Sequence, residues 1–181
     1  MAADIARALE LAMGDEEFAS AMTRFARAFR TYRGRLPRIP YAYSRTRLAI
    51  TPKYEIVAMN WAPRSVSPIH DHGNSRCWVL MLEGTLDVEN FACAVSSAET
   101  PAGIRDAERI LLREGDLDHR FGPAELHRVR NPSATDAAFS LQLYAAPLGD
   151  YTIVDPRTHA RRTVGAACDL ELILGSLASD G

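Results

Sequence analysis

The stretch PIHDHGNSRC, residues 68–77, sets His70 and His72 one residue apart and puts Cys77 five places after the second. On a strand, residues i and i+2 leave the same face, so both imidazoles would point into a barrel and can share one metal ion. A third ligand must come from elsewhere, and the chain offers His119, His127 and His159. His127 is the best placed, because it opens the strand-like segment LHRVRN. His119 and His159 suit strand ends or the surface, with His119, eight residues before His127, as the fallback. Asp71 faces away from the two histidines, which suits a structural role. An isolated H-x-H carries little weight; here six residues separate Cys77 from Gly84, and His127 begins an H-x-x-x-N that ends at Asn131. Three imidazoles without a carboxylate suit Zn, Cu, Ni or Fe by ligand type. They leave the ion's full charge in place, with open positions for a substrate and a small molecule such as O2. A thiolate would offset part of that charge, and coordination would strip the proton from the thiol. Cys77 itself reads either as part of this site or as an ordinary buried thiol.

The elements that must hold these residues are short. After Tyr41, apolar runs such as RLAI, YEIVAMNWA, CWVLMLEG, TLDVENFACAV, ERILLREGD, HRVRN, AAFSLQLYAAP and YTIVD are separated by Gly, Pro, Asn and Asp. Several alternate with period two, and eight strands at this spacing predict an antiparallel sandwich or barrel. Residues 1–40 read differently. Ile5, Ala8, Leu9 and Ala12 share a helical face, Gly14 reads as a stop and Asp15 as an N-cap. Phe18, Met22, Phe25 and Phe29 then recur at helical steps, which reads as a packing face. The expectation is one domain, with helices over 1–40 packed on a barrel over 41–181. The tail LELILGSLASDG is expected to form a last short strand or helix.

Composition sets limits on partners. With 181 residues, 47% hydrophobic and 24% charged, the chain has room for one core. A net charge of -2 disfavours nucleic acid or an acidic membrane as a bulk electrostatic partner. No apolar run approaches the roughly 20 residues of a membrane span, and the N-terminus lacks the pattern of a signal peptide. Three cysteines without a CxxC spacing do not make a disulfide framework, so a reducing cytoplasm is expected. A monomer is expected.

The motifs resemble those of the cupin superfamily, whose first motif is similar to His70 through Gly84 and whose second ends in H-x-x-x-N, as at His127 to Asn131. Cupins usually carry a glutamate ligand where Cys77 stands. Within them, SPIHDHGNSRC, LHRVRN, SLQLYAAP and the shorter YSR at 43–45 are similar to blocks of the cysteine dioxygenases. The resemblance implies a mainly β cupin jelly roll with N-terminal helices, and an enzyme that adds both atoms of O2 to a small thiol. It implies that His70, His72 and His127 bind Fe(II), that Arg45 holds the substrate carboxylate with Tyr43 nearby, and that Tyr144 faces the reacting groups. Cys77 and Tyr144 stand where animal members form a thioether crosslink. Ser140 and Tyr144 match two members of a Ser-His-Tyr relay. Gln142 stands where the family has the histidine, and Ala145-Ala146 replaces Ser-Pro. A cis bond without proline costs roughly 2.5–4 kcal/mol, so a trans bond is expected there. L-Cysteine is the expected substrate, since relatives that use 3-mercaptopropionate typically have glutamine at the position of Arg45. The competing readings are another small carboxylated thiol, or a metal-binding cupin that senses rather than catalyses.

Overall fold

Alternation of period two dominates the chain after Tyr41, and in the computed structural model it becomes twelve strands within the residues described, 42–93, 104–122 and 125–171. These are β1 (Tyr43–Ile50), β2 (Glu55–Trp61), β3 (Ile69–His70), β4 (Arg76–Glu83), β5 (Thr85–Cys93) and β6 (Ile104–Arg113). They continue with β7 (Leu117–Phe121), β8 (Leu126–Arg130), β9 (Ala138–Ala145), β10 (Asp150–Val154), β11 (Arg161–Gly165) and β12 (Leu170–Glu171). All eight expected strands are present. Of the other four, β12 opens the tail in which a last short strand or helix is expected, while β3 is two residues long and LDHRF and RRTVG are mostly polar, so these three show no apolar run. The expected helices over 1–40 and most of the tail lie outside the described residues; the tail's described start is the strand β12.

The strands form two six-stranded sheets, ordered β12-β1-β2-β9-β4-β7 and β11-β10-β3-β8-β5-β6. Every ladder is antiparallel except β1 with β12. Neighbours in space are often distant in sequence, as in a jelly roll. Val57, Met59, Val79 and Met81 from the first sheet meet Leu86, Val88, Leu112 and Val129 from the second in one buried core. Burying each such side chain contributes roughly 1.5–3 kcal/mol. The opposite face of the first sheet is buried too, through Ile56, Leu80, Leu82, Leu141 and Leu143. That is why CWVLMLEG reads as a continuous apolar run rather than an alternating one.

Two motif positions turn out to shape the backbone. Gly84 makes the turn from β4 to β5 at φ +74°, and a Cβ there would lie 3.0 Å from the Cβ of Ala138. Any side chain would therefore be strained twice, by its φ and by β9 next to it. Asn131 is buried, and its Nδ2 donates to the carbonyls of Trp61, Ala62 and Asp136 at 3.0, 3.2 and 2.8 Å. Its Oδ1 accepts from the Ser133 amide at 3.0 Å. The asparagine of H-x-x-x-N is thus a tie between the loops after β2 and β8, at some distance from the chemistry. Among the described residues no helix is long and apolar enough to cross a membrane.

Asn131→Ala removes the amide that ties the carbonyls of Trp61, Ala62 and Asp136 together, with the Trp61 bond buried. It is expected to cost about 2–4 kcal/mol, read as a lower midpoint of urea unfolding with metal stoichiometry retained in the folded protein.

Candidate active site

The second sheet aligns Asn90, His127, His70 and Ile153 across β5, β8, β3 and β10. His70 and His127 are therefore directly opposite one another on adjacent strands. Their ring centroids are 4.3 Å apart, and His72 lies 5.4 Å from His70 and 4.8 Å from His127. The ligand atoms of all three lie within 4.8 Å of one another. His70 and His72 do not, however, share one strand as expected. His70 ends β3, and His72 comes from the turn that follows.

That turn is built locally. Gly73 sits at φ +56°, and a Cβ on it would come within 2.4 Å of the Asp150 carbonyl. Asp71 is buried and accepts from the amides of Gly73 and Thr152, both at 2.9 Å. It thereby pins the turn to β10 and aims His72 back beside His70. This is the structural role expected for Asp71.

The rings fit a metal in their chemistry as well as their spacing. Nδ1 of His70 donates to the Pro68 carbonyl and Nδ1 of His127 to the Glu125 carbonyl, each at 3.0 Å. These bonds leave Nε2 of both rings as the free lone pair, the tautomer that ligation needs. Burial keeps all three imidazoles neutral, bringing His70 down to about 4 and holding His72 and His127 well below the usual histidine range. His119 instead stacks on Trp78 with centroids 4.6 Å apart, and His159 is exposed in a turn, so neither reaches the group.

The cluster opens into a cavity of about 330 Å³ whose walls include Tyr43, Arg45, Arg120, Gln142, Tyr144 and Tyr151. Arg45 reaches in from β1, its Cζ 5.4 Å from the centroid of the Tyr144 ring. Nε and Nη2 of Arg45 are buried without a hydrogen-bond partner. Burial works against the charge, but Tyr144, Cys168 and Glu55 more than offset it and hold the guanidinium above its ordinary value. Tyr144 in turn meets His72 edge-on at 5.5 Å. Burial and the neighbouring Cys77 push the Tyr144 phenol well above its usual range, so it keeps its proton at neutral pH. Tyr43 packs on Trp61 with centroids 5.3 Å apart at the cavity wall.

Tyr144 is directly opposite Cys77 in the β4–β9 ladder, where paired side chains have Cβ atoms roughly 4.5–5.5 Å apart. Cys77 is wholly buried behind the cavity wall, and burial pushes its thiol up, so it stays protonated. Of the expected relay, only one half forms. The Tyr144 hydroxyl donates to Oε1 of Gln142, but Ser140 accepts from Nε1 of Trp61 at 3.1 Å. Among the described residues Ser140 makes no bond to Gln142. The Ala145-Ala146 bond, expected trans, is cis. Its turn is held on both sides, by the Ser75 hydroxyl donating to the Ala146 carbonyl and by the Leu148 amide donating to Glu55 Oε2 at 3.3 Å.

Three polar residues on or against this cavity escape a reading by motif: Arg120, Asp118 and Asn90. The alternation of Asp118 and Arg120 about His119 was the available signal. It becomes informative only once LDHRF is known to be a strand beside β4.

The sequence matches the family described as Cysteine dioxygenase type I over residues 17–157. Cysteine dioxygenase type 1 of Homo sapiens is 34% identical over 112 residues, which cover 62% of this chain and 54% of that protein. The Bos taurus protein of the same name is 35% identical over an equal span. The chain spans about half the length of the curated relatives it matches. Among solved structures, a cupin superfamily protein of Desulfitobacterium hafniense DCB-2 superposes with a TM-score of 0.47 at 13% identity, over 61% of this chain and 84% of that one.

Acid should unfold the metal-free protein through this cluster. Each imidazole is neutral when folded and takes up a proton on unfolding below its ordinary value near 6.5. The stability it contributes is therefore present above that pH and lost as pH falls towards about 4 for His70. The unfolding free energy read from urea titrations should fall below pH 6.5 by up to about 1.4 kcal/mol per pH unit for each histidine that stays neutral in the fold. Replacing all three with glutamine should flatten that slope.

Proposed function

This chain belongs to the cysteine dioxygenase type I family, and we propose that it is an iron-dependent thiol dioxygenase whose substrate is L-cysteine and whose product is cysteine sulfinic acid. The observation that carries this reading is Arg45: a buried cation with two unpartnered nitrogens, facing the same cavity as three neutral histidines. Buried guanidinium nitrogens left without an acceptor are costly, and a planar carboxylate is the group that the fork matches. A thiol that also carries a carboxylate satisfies both ends of the cavity at once.

His70, His72 and His127 would hold Fe(II). When bound, iron would bring the thiol sulfur and O2 within bonding distance and favour loss of the thiol proton. The chain's own residues do the rest. Arg45 anchors the carboxylate by two charge-assisted bonds and so limits the sulfur to one approach. Tyr144 keeps its proton and donates it to Oε1 of Gln142, which holds the phenol in place; turning that O–H off Gln142 would make it the donor to the reacting oxygens. The apolar core beneath the site excludes water that would compete for the cluster. Overall, two S–O bonds form as the O–O bond breaks; sulfur is oxidised, O2 is reduced, and the thiol proton leaves to solvent. A purely sensory cupin has no use for a phenol aimed at the cluster, and this favours catalysis.

Purified protein should carry about one iron per chain and consume O2 with L-cysteine. Protein that binds no iron, or is inert towards every small thiol, sinks the proposal. Arg45→Ala should lose roughly 100- to 1,000-fold in kcat/KM on cysteine, the worth of two charge-assisted bonds, and far less on a thiol lacking a carboxylate. An equal loss on both would remove Arg45 as the anchor.

We further propose that Cys77 and Tyr144 join as a thioether, with the two hydrogens passed to O2. Intact mass should then fall by about two hydrogens, and Cys77→Ser should abolish the difference.

A further inference from the structure

The first sheet carries a row of its own. Strand pairing aligns Arg120 on β7 with Cys77 on β4, Cys77 with Tyr144 on β9, and Tyr144 with Glu55 on β2. The second sheet aligns Asn90, His127 and His70. The first row holds the proposed reacting wall and the second holds the ligands. Their separation decides whether Tyr144 can reach anything held at the histidines.

Arg120 joins the two rows at one end. It is buried at 7% exposure, with Nε donating to Asp118 Oδ2 at 2.7 Å and Nη1 donating to Asn90 Oδ1 on the other sheet. Among the described residues β7 is the edge of its sheet and pairs only with β4. The guanidinium is a rigid fork, so two bonds at fixed angles set a distance that a flexible amine would not. Asp118 offsets its charge, so the arrangement does not need a ligand to be stable, in contrast to Arg45.

We propose that Arg120, held by Asp118 and Asn90, is a positioning residue: a latch between the sheets that sets the spacing of the Cys77–Tyr144 pair from the three histidines. The inference rests on the dioxygenase reading for its catalytic consequence but not for its geometry. His70 and His127 sit on strands of the second sheet, and His72 follows β3 of that sheet directly. Loosening the latch therefore leaves the ligand set intact and displaces the wall opposite, first Cys77 and then Tyr144. Arg45, four strands from β7, is displaced least.

The test compares the parent with Asn90→Leu, Asn90→Asp, Arg120→Met and the gentler Arg120→Lys, which keeps the charge but not the fork. In a Tyr144→Phe background, where no crosslink forms, iodoacetamide labelling of native Cys77 should rise roughly tenfold in Asn90→Leu, as expected for local opening. Labelling of the half-exposed Cys168 stays constant as the internal control. With Tyr144 present, Co2+ affinity should change by less than about tenfold, the smallest loss typical when a ligand's own hydrogen-bond partner is removed. On cysteine, kcat should fall roughly 10- to 100-fold, the cost of a small misplacement, with KM unchanged. Asn90→Asp should restore both readouts, and Arg120→Met added to Asn90→Leu should lower kcat little further. Unchanged Cys77 labelling, Co2+ affinity that falls in step with kcat, or additive losses in the double variant would each overturn the latch. A parent inert on every thiol would remove the dioxygenase reading, while labelling and Co2+ binding still decide the latch.

Discussion

One ladder contact supports the site: His70 opposite His127 on neighbouring strands. Bringing imidazoles this close inside a barrel is tolerable only while they stay neutral, because each protonated ring would face both burial and its neighbours. Burial meets that condition, and the backbone fixes the tautomer of two rings by taking their Nδ1 hydrogens onto carbonyls. The remaining lone pairs then point at a common space. The third ring depends on the same contact indirectly, since His72 is carried by a turn that Asp71 pins to the strand beside β3. The group therefore suits a metal ion by its neutrality as much as by its spacing.

The two guanidiniums of the cavity show how charge balance separates a recognition group from a structural one. Arg120 has Asp118 and Asn90 as partners, and nothing about it asks for a ligand. Arg45 has two buried nitrogens with no partner. Both are arginines on inward-facing positions of the same sheet, and only the census of their partners tells them apart. Tyr144 lies between Arg45 and His72, so the phenol is positioned by the same cation that would orient a substrate.

Placing these groups on strands rather than loops limits how far they can drift. Cys77, Tyr144, Arg45 and Arg120 all take their positions from ladder register, and a slip of one residue would turn each of them away from the cavity. Departures from the family pattern are absorbed side chain by side chain. Gln142 accepts from Tyr144 as a histidine nitrogen would, while Ser140, with Trp61 in reach, leaves the relay. The result orients the tyrosine without a group that titrates near neutral pH.

Much of this protein was legible from its residues alone, for a physical reason: strands and ligand motifs are local patterns. Period-two alternation marked eight strands because side-chain burial repeats every second residue, and H-x-H with H-x-x-x-N marked the three histidines that cluster because ligand chemistry restricts residue types. Gly84 was visible as a spacing, though its cause, the approach of Ala138, was not. The tertiary structure alone decided what depends on pairing between distant segments. That includes the strands β7 and β11, too polar to stand out, and His72's place in a turn rather than on a strand. It includes the bond that Ser140 accepts from Trp61. Above all it includes the pairing of Arg120 with Asn90, residues whose types carry no motif and whose meaning comes from the two sheets that they join.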